Sequence, residues 1–265
     1  MKLRAVAQAP ATNIVEAQHV SMVFGTGEGR HTVFEDISFG VRAGEFLCIV
    51  GSSGCGKTTL LRQIAGLQSP TSGTIQFNGQ PVTRPTLDKA IVFQDYSKAL
   101  LPWRTVAGNV ALGLEVSGTP KDAIKAEVND LLAKMGLLPA AEKTPAQLSG
   151  GMQQRVQIAR SLAQRPKIIL MDEPFGALDA ITRQVLQDEL QTLARERSMT
   201  VIFITHDLEE ALYLGDSVIV LASNPGRIVK QIDVDLPRPR RQLETRESTT
   251  FLRLRHELHG LIGRH

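Results

Sequence analysis

Eight residues constrain this 265-residue chain more than any other stretch: Gly51-Ser52-Ser53-Gly54-Cys55-Gly56-Lys57-Thr58. In the spacing G-x-x-x-x-G-K-[ST], glycines let backbone N–H groups turn inward around phosphates, lysine meets the β/γ oxygens and threonine reaches Mg²⁺. The run before it, Glu45-Phe46-Leu47-Cys48-Ile49-Val50, is short, apolar and β-prone, and Thr59-Leu60-Leu61-Arg62-Gln63-Ile64-Ala65 after it is helical in composition. Strand, loop and helix in that order predict a phosphate-binding loop, where a merely glycine-rich turn would need no such flanks.

Around this loop the texture changes three times. From residue 14 to about 50, β-prone segments alternate with turns such as Gly25-Thr26-Gly27-Glu28-Gly29 and read as an antiparallel β layer. Residues 72–79 read as a short strand with an Asn78-Gly79 turn, and 89–94 as another strand. From about 105 to 164 the pattern is helical: 121–135 is amphipathic, and 150–163 opens at Ser149, a good N-cap. Thereafter the short apolar runs 168–171, 201–205 and 218–221 alternate with helical segments, as in a parallel sheet covered on both faces.

Charge and hydropathy narrow the function. No apolar run approaches the ~18 to 20 residues of a bilayer helix, and residues 1–18 lack the apolar region of a signal peptide, so the chain is expected in the cytosol. Cys48, in a predicted strand, and Cys55, in the loop, belong to no disulfide or zinc framework and read as small buried residues. Between 237 and 265 seven arginines face three glutamates, a net of +4, which leaves −1 of the chain's +3 for everything before. A near-neutral body argues against a nucleic-acid partner. The basic tail reads first as a solvated face, with a membrane-surface or partner contact as the alternative. Within it Phe251, Leu254, Leu258 and Leu261 recur at helical spacing, an amphipathic helix.

Three strand ends carry candidate chemistry. The run Ile168-Ile169-Leu170-Met171 leads into Asp172-Glu173, two carboxylates where parallel sheets bind ligands. Asp172 can hold Mg²⁺; Glu173, expected on the other side of the strand, can polarise an attacking water. His206 follows a second such strand, where an imidazole can reach a γ-phosphate. Gln94, expected at the end of Ile91-Val92-Phe93, offers a neutral amide to orient water or approach Mg²⁺. In Leu148-Ser149-Gly150-Gly151, Ser149 and two glycine N–H groups sit at a helix N-terminus, where orphan donors and the dipole favour an anion.

Together and in this order these residues resemble the nucleotide-binding subunit of an ATP-binding cassette (ABC) transporter. The resemblance spans roughly 14–236: Walker A at 51–58, the glutamine loop at Gln94, the signature Leu148-Ser149-Gly150-Gly151-Met152, Walker B ending at Asp172-Glu173, the aspartate loop Gly176-Ala177-Leu178-Asp179, and the switch histidine His206. It implies an α/β fold with a phosphate-loop NTPase core of mainly parallel sheet, an N-terminal antiparallel β layer and an inserted α-helical subdomain at about 95–164. The ATPase domain would run over 1–236 and the tail over 237–265. It also implies ATP and Mg²⁺ as cofactors. Gly51, Ser52, Ser53, Gly54, Cys55, Gly56, Lys57, Thr58 and Thr59 would hold the phosphates, Thr58, Gln94 and Asp172 the metal, and Glu173, His206 and Gln94 the catalysis. Ser149, Gly150 and Gly151 would clamp the γ-phosphate of a second copy in a head-to-tail dimer, with Asp179 at the interface. Phe24 matches the adenine-stacking aromatic by position, with a core phenylalanine as the alternative. Met152 stands where glutamine is common and Gly176 where serine is common, but Ser149, Gly151 and Asp179 remain, so the expectation is an active site.

Within the family, Val92-Phe93-Gln94-Asp95, Leu100-Leu101-Pro102-Trp103 and Asn224-Pro225-Gly226-Arg227 look like importers of nitrate, sulfonates or taurine. The implied partners are transmembrane permease subunits, contacted near Trp103 unless that residue packs within its subdomain, and, indirectly, an external solute-binding protein. The implied place is the cytoplasmic face of the membrane. A soluble cassette ATPase acting on DNA or ribosomes would carry a coiled-coil insertion, zinc cysteines or a second cassette; a metabolic kinase would leave the signature and His206 idle.

Overall fold

A computed structural model describes residues 13–95 and 99–262. Two sheets and a set of helices make up an α/β fold. The first sheet is antiparallel, in the order β2-β1-β4-β5, from β1 (Asn13–Phe24), β2 (His31–Arg42), β4 (Ser72–Phe77) and β5 (Gln80–Pro81). The second is mainly parallel, in the order β10-β9-β3-β8-β7-β6: β3 (Phe46–Gly51), β6 (Lys89–Val92), β7 (Ile168–Asp172), β8 (Thr200–Ile204), β9 (Ser217–Ala222) and an antiparallel edge, β10 (Arg227–Asp233). The antiparallel layer read over 14–50 therefore stops at Arg42. β3 leaves it for the centre of the parallel sheet, and 72–81 takes its place beside β1. The reason is burial: all six residues of β3 are buried, which only a central strand with two covered faces allows.

Period-two alternation in the parallel strands divides the core. Phe46, Cys48 and Val50 of β3, Ile169 and Met171 of β7, and Val201 and Phe203 of β8 face one hydrophobic cluster with the later helices. Leu47 and Ile49, Ile168 and Leu170, and Ile202 and Ile204 face the other, with the antiparallel sheet and α1 (Lys57–Ala65). Successive side chains point to opposite faces, so a continuous apolar run fills both.

Between β6 and β7 lie α2 (Val106–Val116), α3 (Lys121–Lys134) and α4 (Gly150–Ala163). α5 (Ala180–Glu196) and α6 (Leu208–Leu214) connect the later strands, and α7 (Gln242–Glu247) and α8 (Thr249–Ile262) follow β10. None of the described helices is long and apolar enough to cross a membrane. Each of α2, α4, α5 and α6 starts at a polar N-cap: Thr105, Ser149, Asp179 and Asp207 accept from backbone N–H groups of their first turns.

The tail is only in part a solvated face: Arg241, Leu243 and Arg253 are exposed, but other residues pack inward. Phe251, Leu254 and Leu258 of α8 are buried in the main cluster. Arg238 bonds Asp216 (2.6 Å) and Gln191 (2.6 Å). Arg240, 7% exposed, donates to the carbonyls of Leu212, Tyr213 and Gly215 at the end of α6. Arg264 lies outside the described residues. An arginine can place its aliphatic stem in the core while its guanidinium satisfies helix-end carbonyls, which charge counting along a sequence does not reveal.

Candidate functional site

The phosphate loop leaves β3 at Gly51 and enters α1 at Lys57. Gly54 and Gly56, with φ of 82° and 93°, occupy the left-handed region that lets the chain reverse so tightly. Lys57 is buried, and its Nζ donates to the Gly51 carbonyl at 2.8 Å and the Ser52 carbonyl at 2.9 Å. With the Cys55 sulfur at 3.8 Å as its other partner, this buried ammonium has neutral acceptors, and such a site is prepared for an anion. Behind the loop, the turn Asn224-Pro225-Gly226 closes against it: the Gly226 N–H donates to Val33 O (2.8 Å), and Ser223 bonds Ser52 through their hydroxyls (3.0 Å).

Beside the loop, the Thr58 hydroxyl donates to Asp172 Oδ2 at 2.7 Å. Burial pushes the Asp172 carboxyl above its ordinary value, and the Thr58 bond opposes that rise. A hydroxyl and a carboxylate in contact form the hard-oxygen donor set that Mg²⁺ prefers, so these residues fit the ion. They line a recess of about 500 Å³ with Arg62, Phe93, Gln94, Asp95, Ala99 and Arg160.

Three of the predicted residues meet on one oxygen. Glu173 Oε2 accepts from Gln94 Nε2 at 3.1 Å and lies 3.2 Å from His206 Nδ1. They come from segments following the adjacent parallel strands β6, β7 and β8, at the carboxyl ends where such sheets bind ligands. Glu173 does not reach this point by strand alternation. Its φ of 47° turns the chain into the left-handed region directly after β7, while its N–H donates to Ile204 O at 2.9 Å. For a residue with a Cβ that conformation costs roughly 1–2 kcal/mol. Gln94 likewise lies beyond its strand, which ends at Val92. With its amide turned so that oxygen meets N–H and nitrogen meets C=O, Gln157 of α4 takes the Phe93 backbone (2.7 and 3.2 Å) that would otherwise extend the ladder.

The remaining predicted residues lie apart from this cluster. Ser149 caps α4 through a long 3.4 Å bond from Met152 N–H, with Gly150 and Gly151 opening the helix, and none of the three lines the recess. Asp179 caps α5, accepting from Thr182 N–H at 3.0 Å, and that bond holds its carboxyl below the ordinary range. Phe24 is 46% exposed at the end of β1 and Trp103 is 76% exposed, so neither is a packing residue. Cys48 and Cys55 are buried free thiols.

Two arginines of the recess, Arg62 and Arg160, escaped the sequence reading. Arg62 could have been found, since it follows Thr58 at i+4 on the same face of α1. Arg160 had no such signal; burial lowers its pKa.

Comparison with known proteins identifies relatives of the whole fold. The ABC transporter family model matches residues 34–176. The nitrate import ATP-binding protein NrtC of Synechococcus elongatus is 48% identical over 247 residues, covering 91% of this chain, which in turn spans 37% of that protein. The bicarbonate transport ATP-binding protein CmpD of Synechocystis is 42% identical, covering 92% of this chain and 87% of that one. Among solved structures, the ATP-binding cassette MJ0796, dimeric in a post-hydrolysis state bound to ADP and Pi, superposes with a TM-score of 0.75 at 31% identity, covering 83% of this chain and 98% of that one. A fourth protein, cbiO1 from Clostridium perfringens, described as part of the transporter complex cbiONQ, gives a TM-score of 0.73 at 27% identity, covering 84% of this chain and 89% of that one.

Proposed function

Because this chain belongs to the ABC transporter family, as one of its ATP-hydrolysing cassettes, we propose that it powers uptake of a small oxyanion through a separate membrane permease. Nitrate is the first choice, since the relative named for nitrate import is 48% identical and the one named for bicarbonate transport 42%, each over nine-tenths of this chain. The sulfonate and taurine reading has no counterpart among those relatives. The chain would work at the cytoplasmic face, with exposed Trp103 offered to the permease and the external solute-binding protein engaged only through that permease.

The observation that carries the mechanism is the meeting of Gln94, Glu173 and His206 at one oxygen, beside the Thr58–Asp172 pair. Lys57 exchanges its two loop carbonyls for phosphate oxygens, and the N–H groups of 52–59 complete the cradle. Thr58 and Asp172, assisted by Gln94, would hold Mg²⁺, which would offset phosphate charge. Glu173 takes the proton of the attacking water at Oε2; Gln94 holds that water and His206 donates toward the γ-phosphate. Phe24, exposed at the end of β1, stacks on adenine. Ser149, Gly150 and Gly151 present N–H donors and a hydroxyl to the γ-phosphate of a second copy, with Asp179 at the same interface. In this reading the helices between β6 and β7 form the subdomain that brings the signature into place.

Replacing Glu173 with Gln tests the assignment. ATP affinity is expected to stay within about threefold of the parent while turnover falls by 10² or more, the range for losing a general base. An ATP-bound dimer is expected to accumulate in size-exclusion chromatography. Undiminished turnover would remove Glu173 from the role. For the solute, nitrate uptake by vesicles holding the co-purified permease decides, and uptake of bicarbonate alone would replace the first choice.

A further inference from the structure

His206 lies in neither strand nor helix. It occupies the short span between β8, which ends at Ile204, and α6, which begins at Leu208. The sheet fixes one end of that span. The other end depends on a helix of only seven residues, too short to hold itself. Its first turn is held from outside. Asp207 accepts from the N–H groups of Glu209 (2.9 Å) and Glu210 (3.1 Å), and each of those glutamates is gripped in turn. Glu210 accepts from Gln187 of α5 at 2.9 Å. Glu209 accepts from two arginines of the tail, Arg246 of α7 at 2.9 Å and Arg255 of α8 at 2.8 Å.

The tail can bear this load because other residues anchor it. Phe251 and Leu258 of α8 are fully buried, and the far end of α6 is pinned separately by Arg240. Arg246 also lies over the Tyr213 ring of α6, 5.1 Å from its centre, and donates to Gln242 at 3.2 Å. Both arginines thus approach Glu209 from fixed directions, and charge-assisted bonds of this kind are the strong ones. Releasing Glu209 would remove one of the holds on the N-terminal end of α6, next to His206, and loosen it while the C-terminal end stays in place.

We propose that Arg246 and Arg255 are positioning residues for ATP hydrolysis: by clasping Glu209 they lock the first turn of α6 and hold the His206 imidazole against Glu173. This rests on the reading of His206 as the donor to the γ-phosphate. The tail that follows β10 is then part of the catalytic apparatus without touching nucleotide.

The test is the full chain carrying Arg246→Ala and Arg255→Ala together. Turnover is expected to fall about tenfold with the KM for ATP within about twofold, because the phosphate loop stands on β3 and α1, away from the clasp. The His206 ring resonance, identified by its loss in His206→Ala, is expected to shift, and Arg246→Lys with Arg255→Lys to restore at least half the turnover. If the double variant is poorly folded, Glu209→Gln, which keeps one of the two acceptor oxygens and removes the charge, is expected to show the same split at about threefold. Unchanged turnover with an unmoved His206 resonance overturns the proposal, as does a loss that reappears undiminished in a His206→Ala background. Full turnover in His206→Ala alone would instead overturn the reading of His206 beneath it, and the ring resonance keeps the two failures apart.

Discussion

Gly226 shows how a residue remote in sequence shapes the phosphate loop. A Cβ at this position would stand 2.3 Å from the Cys55 carbonyl oxygen and 2.8 Å from the Phe34 Cβ. Neither can yield cheaply, because one is loop backbone and the other is a side chain buried to 1% exposure. Gly226→Ala is therefore expected to push Cys55 outward and weaken ATP binding about tenfold, measured by equilibrium titration; an unaltered affinity would show the loop indifferent to its backing. The sequence displayed Asn224-Pro225-Gly226 only as a subfamily resemblance. Its contact with the loop was invisible, because it joins β9 and β10 to a turn far earlier in the chain. The same limit applies to Glu173. Its identity and place after an apolar strand were legible, but the left-handed turn that brings its carboxylate to Gln94 and His206 was not, because an isolated glutamate gives no sign of positive φ.

Among elements, α3 packs Val128, Leu131 and Leu132 into the main core and is joined to the ends of α4 and α5 by a partly buried carboxylate. Glu127 accepts from Arg165, just beyond α4, at 2.6 Å and from Arg197, the C-cap of α5, at 2.7 Å. Burial pushes its carboxyl up, but the two arginines outweigh this and hold it below the ordinary carboxylate range. A depressed carboxyl adds stability that is present above its unfolded pKa of about 4.3 and is lost as pH falls through the folded value. Glu127→Gln is thus expected to lower stability by about 1 kcal/mol at pH 7, a figure kept small by the exposure of Arg165. The gap should close below about pH 4 in urea titrations at several pH values. Helices such as α3 and α4 were legible from their periodicity and the Ser149 cap. The grouping of strands was less so, since 14–24, 31–42 and 46–51 look alike locally while burial sends the last to another sheet.

For the whole molecule, the proposed sharing of each site between two copies starts from Ser149 not lining the recess. If each site takes its phosphate loop from one copy and its clamp from another, mixing Gly150→Asp chains with Lys57→Ala chains gives heterodimers with one intact site of two. With equal, freely exchanging chains, about a quarter of parental turnover is expected, since half the dimers are mixed. No recovery in verified heterodimers would count against shared sites. This arrangement is what the resemblance to ABC cassettes implies, since the motifs alone do not say that loop and clamp come from different copies. The packing of the tail was not readable, since its arginines look the same whether solvated or folded inward.

The strand order has a consequence for how the protein comes into being. β3 pairs only with β8 and β9, through Cys48 opposite Phe203 and Val218. A growing chain therefore completes its phosphate loop and its clamp before either neighbour of the loop's strand has been made. Contacts so distant in sequence delay folding and leave apolar strands uncovered meanwhile. A fragment ending after α4 would possess both glycine motifs and bind no nucleotide, for the strand that carries the loop would have no sheet to join.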